Sequence, residues 1–373
     1  MVFLKLIIHV FILLGSIFNT GFASRDDDKS PNRNKNIKIG LLIDNKSSLA
    51  AIHGAELAIS EANSKAGVND LKFELVVRSM EGPWGTGSKQ TVNLIFDEDV
   101  TAIAGSHGGR NAHLAEQVCA KSGVTLISAR ASDPTLSQAF VPWYFTCVPN
   151  DNQQAEVLFE EIYNRRKEND VLLVADNDYD AGQASQSLIN KIKNSGLKVP
   201  ELLQYNEYET DFSGIAASIK SKGKRCIVLF GKPPSTVNLL REIRKLKTDI
   251  RIFASLSLMD EDKLPVKDLS PYEGLTIVSP DLTGNSKWKG FSQIFQRTFG
   301  YAPGVIASYS FDAVNILIAA INQKGPDQTI MQKTISEMKS EGVSGPISFD
   351  EHGNRKGPFG KIVIANGVPV KVK

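Results

Sequence analysis

The chain has 373 residues, of which 42% are hydrophobic, and its 43 Lys and Arg residues nearly balance 41 Asp and Glu residues. This length exceeds what one hydrophobic core usually serves, so two domains are predicted. The balanced charge excludes any electrostatic argument for binding to nucleic acid or to an anionic membrane surface.

The N-terminus has the pattern of an export signal. Lys5 precedes an apolar run over residues 6–18, and small residues follow near position 23. This pattern predicts a cleaved signal peptide over residues 1–23, because the run is shorter than the ~20 residues of a membrane span. An uncleaved anchor is the alternative. Residues 24–36 are polar and predict a flexible lead-in. We expect a periplasmic or extracellular protein, with no later segment apolar enough to span a bilayer.

Strands alternate with helices over the first third of the chain. The pattern predicts strands over residues 37–43, 72–79, 100–105 and 124–128, and helices over residues 50–66, 88–97 and 110–122. The strands are short apolar runs, as expected when helices cover both faces of a sheet. Strict alternation predicts a parallel, doubly wound sheet.

A second series follows residues 149–152, where Asn or Asp is a natural helix N-cap. It predicts strands over 171–175, 202–208, 226–231 and 250–255, and helices from 153 and over 181–195, 212–222 and 235–247. Later come a strand over 275–279, helices over 286–299, 303–323 and 327–339, and strand-like segments over 346–350 and 360–372. Two α/β series followed by mixed late elements predict two lobes, with a chain that crosses between them more than once.

The three cysteines, Cys119, Cys147 and Cys226, are an odd number, so they do not form a fully paired framework. Each lies in an apolar or helical pattern, which favours buried free thiols but leaves their disulfide status open. No C-x-x-C motif or Cys/His spacing suited to zinc is present. No metal or other cofactor is therefore expected.

Two glycine-rich loops resemble catalytic motifs without completing them. Residues 82–89 follow a strand but end in Gly-Ser-Lys, where a phosphate-binding loop needs Gly-Lys-Ser or Gly-Lys-Thr. A tight turn is the simpler interpretation, with Trp84 packing or facing a cleft. Residues 105–109 are like an oxyanion loop, but no G-x-S-x-G nucleophile motif accompanies them. We predict that the chain is not an enzyme.

The loop over residues 106–110 is the first candidate for ligand contact. Gly108 and Gly109 allow close approach of the backbone, and the helix that follows directs its first N–H groups at any anion there. Arg110 adds a positive charge. A plain tight turn is the alternative. In the next such loop, Arg130 is either a partner for a ligand carboxylate or a solvated residue.

Several segments in the same order resemble a known family. They include residues 37–43, 54–63, 102–106, 123–129, 176–182, 211–214 and 345–353. Together they are similar to the type I periplasmic binding proteins, and more closely to the leucine/isoleucine/valine-binding branch of bacterial ABC importers.

The resemblance implies an α/β fold of two doubly wound parallel-sheet lobes joined by a three-segment hinge. Lobe I would comprise residues 37–148 and 277–345, and lobe II residues 149–276 and 346–373. It also implies a monomer that binds a small molecule in the cleft and delivers it to the membrane permease of an ABC importer.

The family's binding positions are carried over one at a time. Gly109 lies where the amino-acid binders offer a Ser to the ligand carboxylate. Arg130 and Ser132 match the positions of a small residue and a Thr, and Tyr179 matches a cleft aromatic from the second lobe.

Two further positions depart from the family. Lys232 follows Gly231 where an aromatic residue is expected, and Leu256 lies where an acid should meet the ligand ammonium. Asp260 is the nearest acid. An unpaired buried ammonium is costly, whereas Lys232 adds to the positive charge of the candidate arginines. This gives the hypothesis of a ligand that is not a branched-chain amino acid and carries net negative charge.

Two functions remain open at this point. One is a solute-binding protein for an ABC importer, taking an amino-acid-like molecule or an organic acid. The other is a ligand-sensing receptor that partners a membrane signalling protein.

Overall fold

The computed structural model describes residues 36–64, 72–138, 141–263, 269–280, 282 and 284–372. The predicted signal peptide and most of the predicted lead-in lie outside these residues.

The first sheet contains five parallel strands in the order β2-β1-β3-β4-β5. Helices cover both faces of this sheet, which explains why the strands are short and apolar. The strands are β1 (Ile37–Ile43), β2 (Phe73–Ser79), β3 (Ala102–Ser106), β4 (Leu126–Ser128) and β5 (Tyr144–Thr146), and the helices among them are α1 (Leu49–Ser64), α2 (Thr86–Val92), α3 (Gly109–Ser122) and α4 (Thr135–Gln138).

The second sheet has seven strands in the order β14-β13-β10-β9-β8-β6-β7. Strands β6 to β10 are parallel, whereas β13 and β14 are antiparallel additions at the edge. The strands are β6 (Val171–Asp176), β7 (Glu201–Tyr205), β8 (Cys226–Phe230), β9 (Arg251–Ala254), β10 (Thr276–Val278), β13 (Lys361–Ala365) and β14 (Val368–Lys371), and the helices are α5 (Asp151–Phe159), α6 (Tyr179–Asn194), α7 (Ser213–Ser221) and α8 (Ser235–Lys245).

The chain returns to the first sheet after β10. There α9 (Ser286–Phe299), α10 (Val305–Lys324) and α11 (Gln328–Ser336) pack into its core. A small hairpin of β11 (Ser340–Gly342) and β12 (Gly345–Ile347) then leads back to β13. We call the elements packed on the two sheets the first and second lobes. The α/β fold with two parallel-sheet lobes is as predicted.

Helix α10 corrects one sequence prediction. It is long and apolar enough to cross a membrane, although we expected no such segment after the N-terminus. Of its most apolar window, 83% is buried inside the protein. A helix that is apolar all round is typical of the centre of a large core as well as of a membrane span, and α10 packs closely against α1.

The sequence pattern also missed β5 and the division of the tail. Strand β5 has only three residues, too few to show periodicity, and unlike the equally short β4 and β10 it was not recognised as a strand. The predicted strand-like segment over 360–372 is a hairpin that turns at Asn366 and Gly367, both with positive φ. The predicted lobe boundary at residue 277 falls inside β10, which belongs to the second sheet.

The three cysteines are free and buried, in agreement with the sequence interpretation. They lie in three different hydrophobic clusters, so the fold does not bring them together. Asn150 caps α5 by accepting a 3.0 Å hydrogen bond from the Gln153 N–H, while the Gln153 side chain accepts one of 2.8 Å in return.

Gly54 marks the closest approach of α1 to α10. A Cβ at this position would lie 2.2 Å from the carbonyl oxygen of Ala307. We expect Gly54→Ala to lower the free energy of unfolding by about 1–3 kcal/mol, because the backbones must separate. Gly290→Ala on exposed α9 is the control, since its Cβ meets nothing within 4 Å, and it should be neutral or stabilising by up to ~1 kcal/mol. Urea unfolding measures both; equal effects would contradict the packing argument.

Candidate functional site

The carboxyl ends of strands from both sheets meet in one cleft, as expected for ligand sites in open α/β sheets. From the first lobe, Asp44 follows β1, the pair Gly108 and Gly109 follows β3, and Arg130 follows β4. From the second lobe, residues 178–180 follow β6, Lys232 follows β8 and Asp260 follows β9.

Arg130 joins the two lobes through carboxylates. Its Nη1 lies 2.8 Å from Oδ2 of Asp44, outside hydrogen-bond geometry, and its Nη2 donates a hydrogen bond to Oδ2 of Asp260 across the cleft. The side chains of Arg130 and Asp260 are only 7% and 3% exposed. Burial raises the pKa of Asp44, but the charges of Arg130 and Lys232 outweigh it and hold that pKa below its usual value.

Lys232 is held by two carboxylates of the second lobe. Its Nζ lies 2.6 Å from Oδ2 of Asp180 and 2.9 Å from Oδ2 of Asp178. Burial alone would lower the pKa of Lys232, but Asp180 and Asp178 raise it well above the usual value. Lys232 therefore keeps its positive charge at any physiological pH.

The first N–H groups of α3 already bind carboxylates. Gly108 donates a 3.0 Å hydrogen bond to Oδ1 of Asp44, and Gly109 donates one of 2.8 Å across the cleft to Oδ1 of Asp180. The N–H groups at the start of this helix therefore bind anionic groups, but in this arrangement these are the protein's own carboxylates.

A second contact between the lobes centres on Asp133. Tyr179 from α6 donates a 2.6 Å hydrogen bond to Oδ2 of Asp133, and Nε2 of His113 lies 2.9 Å from the same oxygen. Burial raises the pKa of Asp133, yet hydrogen bonds from His113, Tyr179 and Thr135 lower it to about 2. The hydrogen bond to Asp133 in turn raises the pKa of His113.

This cluster predicts a pH dependence. Because the pKa of His113 is raised in the folded state, its stabilising contribution is complete below its unfolded pKa of about 6.5 and is lost as pH rises through the folded value. We expect the melting temperature of His113→Gln to fall below that of the wild type at pH 6 and to approach it at pH 9. A difference that stays constant with pH would contradict the role of the charged imidazole.

The space left between these groups is small. The cleft cavity measures about 40 Å³ and is lined by four of the predicted residues, Arg130, Ser132, Lys232 and Leu256, and by Asp180 and Asp260 among others. A site for a typical organic ligand needs roughly 300–1,000 Å³. A ligand of that size would therefore require the lobes to separate from this arrangement.

The eight predicted residues differ in how closely they approach the cleft. Gly108, Gly109, Tyr179 and the four cavity residues converge on the cleft or on contacts between the lobes. Arg110 is exposed, and its guanidinium lies 5.6 Å from the centre of the Tyr179 ring at the edge of the cleft.

Sequence reasoning missed the acids. Asp44 and Asp178 lie within two residues after a strand and Asp180 lies four residues after one, close to the position that had drawn attention to the glycines and Arg130. Their places shortly after predicted strands could have identified these acids as candidate cleft residues from the sequence. Asp260 was noted only as the nearest acid, yet it reaches the cleft directly.

These acids correct the reasoning behind the predicted anionic ligand. The two cleft cations each contact two carboxylates, which gives two positive and four negative charges (Arg130 and Lys232; Asp44, Asp178, Asp180 and Asp260). The cleft therefore contains carboxylates that an ammonium group could contact, although Leu256 and not an acid lies at the position carried over from the family. Of the two alternatives for Trp84, packing is wrong, because this side chain is 84% exposed. Among the described residues, no group of His, Cys, Asp and Glu has the arrangement of a metal site.

Comparison with known proteins identifies the family to which this fold belongs. Residues 36–364 match the periplasmic binding protein family. A Leu/Ile/Val-binding protein homolog of Brucella melitensis is 25% identical over 313 residues, which are 82% of each chain.

Two solved structures show the same fold. The branched-chain amino acid transporter substrate binding protein LivJ of Streptococcus pneumoniae, in complex with isoleucine, has a TM-score of 0.77 at 21% identity, covering 91% of this chain and all of that one. A solute binding protein of an ABC transporter from Rhodopseudomonas palustris, in complex with 3,4-dihydroxybenzoic acid, has a TM-score of 0.80 at 17% identity and covers 90% and 96% of the two chains.

These relatives and neighbours are binding proteins rather than enzymes, which confirms the prediction of a non-enzymatic chain. Their fold joins the same two α/β lobes whose strand ends meet in the cleft described above. The chain therefore belongs to the periplasmic binding protein family, as the sequence resemblance predicted.

Proposed function

We propose that this protein captures an amino-acid-like solute between its lobes and delivers it to the membrane permease of an ABC importer. The observation that carries the proposal is the alternation of charges in the cleft. Arg130 lies between Asp44 and Asp260, and Lys232 lies beside Asp180. A zwitterion offers one group for each sign of charge.

The same contacts indicate which protein groups the solute would replace on binding. On opening of the lobes, the carboxylate of the solute replaces Asp180 at the Gly109 N–H and approaches Arg130. The amino group of the solute then binds carboxylates of the cleft, where they outnumber the cations. Asp260 and Asp180 on the second lobe are the candidates. A purely anionic solute would instead add to a cleft that already has two surplus negative charges.

The relatives support this chemistry without fixing the solute. The Brucella relative is named for leucine, isoleucine and valine, and the S. pneumoniae structure holds isoleucine, but the R. palustris structure holds an aromatic acid. Under this proposal the lobes act as rigid bodies about three connections, and the permease recognises the closed form.

A paired thermal-shift screen tests the ligand class. Each amino acid is compared with the oxo acid that lacks its amino group. We expect one or more amino acids to stabilise the protein by about 2.7 kcal/mol at a hundredfold excess over Kd, and their oxo acids to have little effect. Stabilisation by the oxo acids and not by the amino acids would contradict the proposal.

Asp260 gives the matched variant for that screen. Asp260→Asn removes a buried cleft carboxylate, so we expect the amino-acid response to fall at least tenfold in affinity. Asp211→Asn makes the same chemical change at an exposed position and should leave affinity unchanged. Equal affinities for the two variants would exclude Asp260 as the partner of the amino group.

A further inference from the structure

A second and larger cavity, of about 480 Å³, lies away from the cleft among the connections between the sheets. Pro280 and Asn285, from the connection that follows β10, line one side. Ser344, Pro346 and Arg355, from the connection that leads to β13, line another. We call this space the connection cavity.

Arg355 is a buried cation on the wall of this cavity. It is 3% exposed, and it donates hydrogen bonds of 2.9, 2.9 and 2.7 Å to the carbonyls of Pro346 and Cys147 and to the hydroxyl of Ser344. Its Nη2 donates to no described residue, and no described carboxylate lies within ion-pair distance of its guanidinium. The nearest acid in its network, Asp312, is reached only through the Ser344 hydroxyl.

The direct acceptors of the Arg355 guanidinium are neutral, and its charge is compensated only at longer range, by the buried Asp312 carboxyl behind Ser344. Burying a cation is costly unless an anion accompanies it. The planar guanidinium is suited to carboxylate and phosphate, which it binds with two parallel hydrogen bonds. Because Nε and Nη1 of Arg355 already donate to protein oxygens, Nη2 is the nitrogen left for an anion, and the cavity beside it provides room for one.

The remaining charged residues of the lining are mostly cationic, with Arg165, Lys361 and Lys371 besides Glu341. Arg165 and Lys361 have carboxylate partners, Glu160 at 4.0 Å and Glu161 at 2.9 Å, whereas no described carboxylate lies within ion-pair distance of Arg355. The positive lining favours a small anion with more than one negative charge.

Tyr309 connects this cavity with the cleft. The residue lies on α10 and lines both cavities, so one side chain forms a wall shared by the two spaces. Its ring centre lies 5.9 Å from the guanidinium carbon of Arg355. An anion against Arg355 would thus contact the wall of the solute cleft as well as the connections about which the lobes turn.

We propose that the connection cavity is a second binding site, which takes a small multivalent anion of the phosphate or polycarboxylate class with Arg355 as its anchor. The site differs from the cleft in charge, in position and in the connections that form it. It requires no particular identity for the cleft solute.

Isothermal titration of the full mature chain with inorganic phosphate, and separately with citrate, tests the proposal at constant ionic strength. We expect saturable one-site binding of at least one of the two anions, and the arm that binds distinguishes phosphate from polycarboxylate chemistry. Arg355→Gln should abolish this binding. Because that variant also removes hydrogen bonds that hold two connections, Lys371→Glu at the exposed rim provides a second one, with at least a tenfold loss of affinity expected.

Lys324→Glu is the matched control, since it makes the same charge reversal at an exposed position that does not line the cavity. It should leave anion binding unchanged. Absence of saturable binding of both anions to the wild type would overturn the proposal. Equal losses in Lys371→Glu and Lys324→Glu, or unchanged binding in both Lys371→Glu and a folded Arg355→Gln, would overturn it as well.

Discussion

Replacing Arg130 with methionine is expected to abolish solute binding and to lower the free energy of unfolding by about 3–5 kcal/mol. Methionine keeps much of the apolar volume, so the main change is the loss of charge. Asp44 and Asp260 would then face each other across the cleft without the cation that each now contacts. Two carboxylates left in a partly buried space repel each other and favour separated lobes.

Urea unfolding and titration of the cleft solute measure the two effects. Arg241→Met is the control, because Arg241 is exposed on α8 and its one hydrogen bond within the described part of the chain is to Asn238. That change should alter stability by no more than about 0.5 kcal/mol and leave binding intact. If Arg130→Met bound the solute with wild-type affinity, the bridge between the lobes would have no part in recognition.

A single methyl group at Gly109 is expected to hold the lobes apart. A Cβ there would lie 2.9 Å from Oδ1 of Asp180, 3.1 Å from Cβ of Asp133 and 3.2 Å from Cε1 of Tyr179. Asp180 cannot easily turn away, because Lys232 holds its other oxygen at 2.6 Å. The methyl group would also crowd the Gly109 N–H that the solute carboxylate is proposed to bind, so Gly109→Ala should reduce solute affinity at least tenfold, which is about 1.4 kcal/mol.

Gly182→Ala is the matched control for this variant. Gly182 lies on α6 together with Tyr179 and Asp180, but a Cβ at Gly182 meets nothing within 4 Å. Its affinity should equal that of the wild type. A similar loss in both variants would indicate a general effect on α6 rather than a wedge at the contact between the lobes.

The alternation of strands and helices was sufficient to predict the fold. Buried strands such as β6 and β8 consist of apolar residues between helical patterns, and this is a local property of the sequence. The division of the tail was also readable, because Asn366-Gly367 between two apolar runs is a local hairpin signal that the sequence analysis did not use. Strand β5 was missed although β4 and β10 are equally short, because those two lie within longer apolar runs between helical patterns.

The positions of the cleft residues followed from the fold, but their pairing did not. That Gly109 and Arg130 follow neighbouring strands could be read from the sequence, because the carboxyl ends of parallel strands share one edge. The contacts of Arg130 with Asp44 and Asp260 join residues 86 and 130 positions away in the chain. Such distant contacts leave no periodic trace, so the cations seemed unpaired and suggested an anionic ligand.

The central claim, that the lobes close on a solute, is tested most directly by a distance between them. Trp84 on the first lobe and Tyr208 on the second are 84% and 80% exposed, so Trp84→Cys and Tyr208→Cys can carry spin labels, while the three native cysteines are buried. Pulsed electron resonance then gives the distance distribution between the labels, with and without the amino acid that stabilises the protein most. The account predicts that the distribution narrows to a single distance on binding, because the solute contacts both lobes and holds them in one arrangement. The same distribution at saturating solute as in its absence would contradict it.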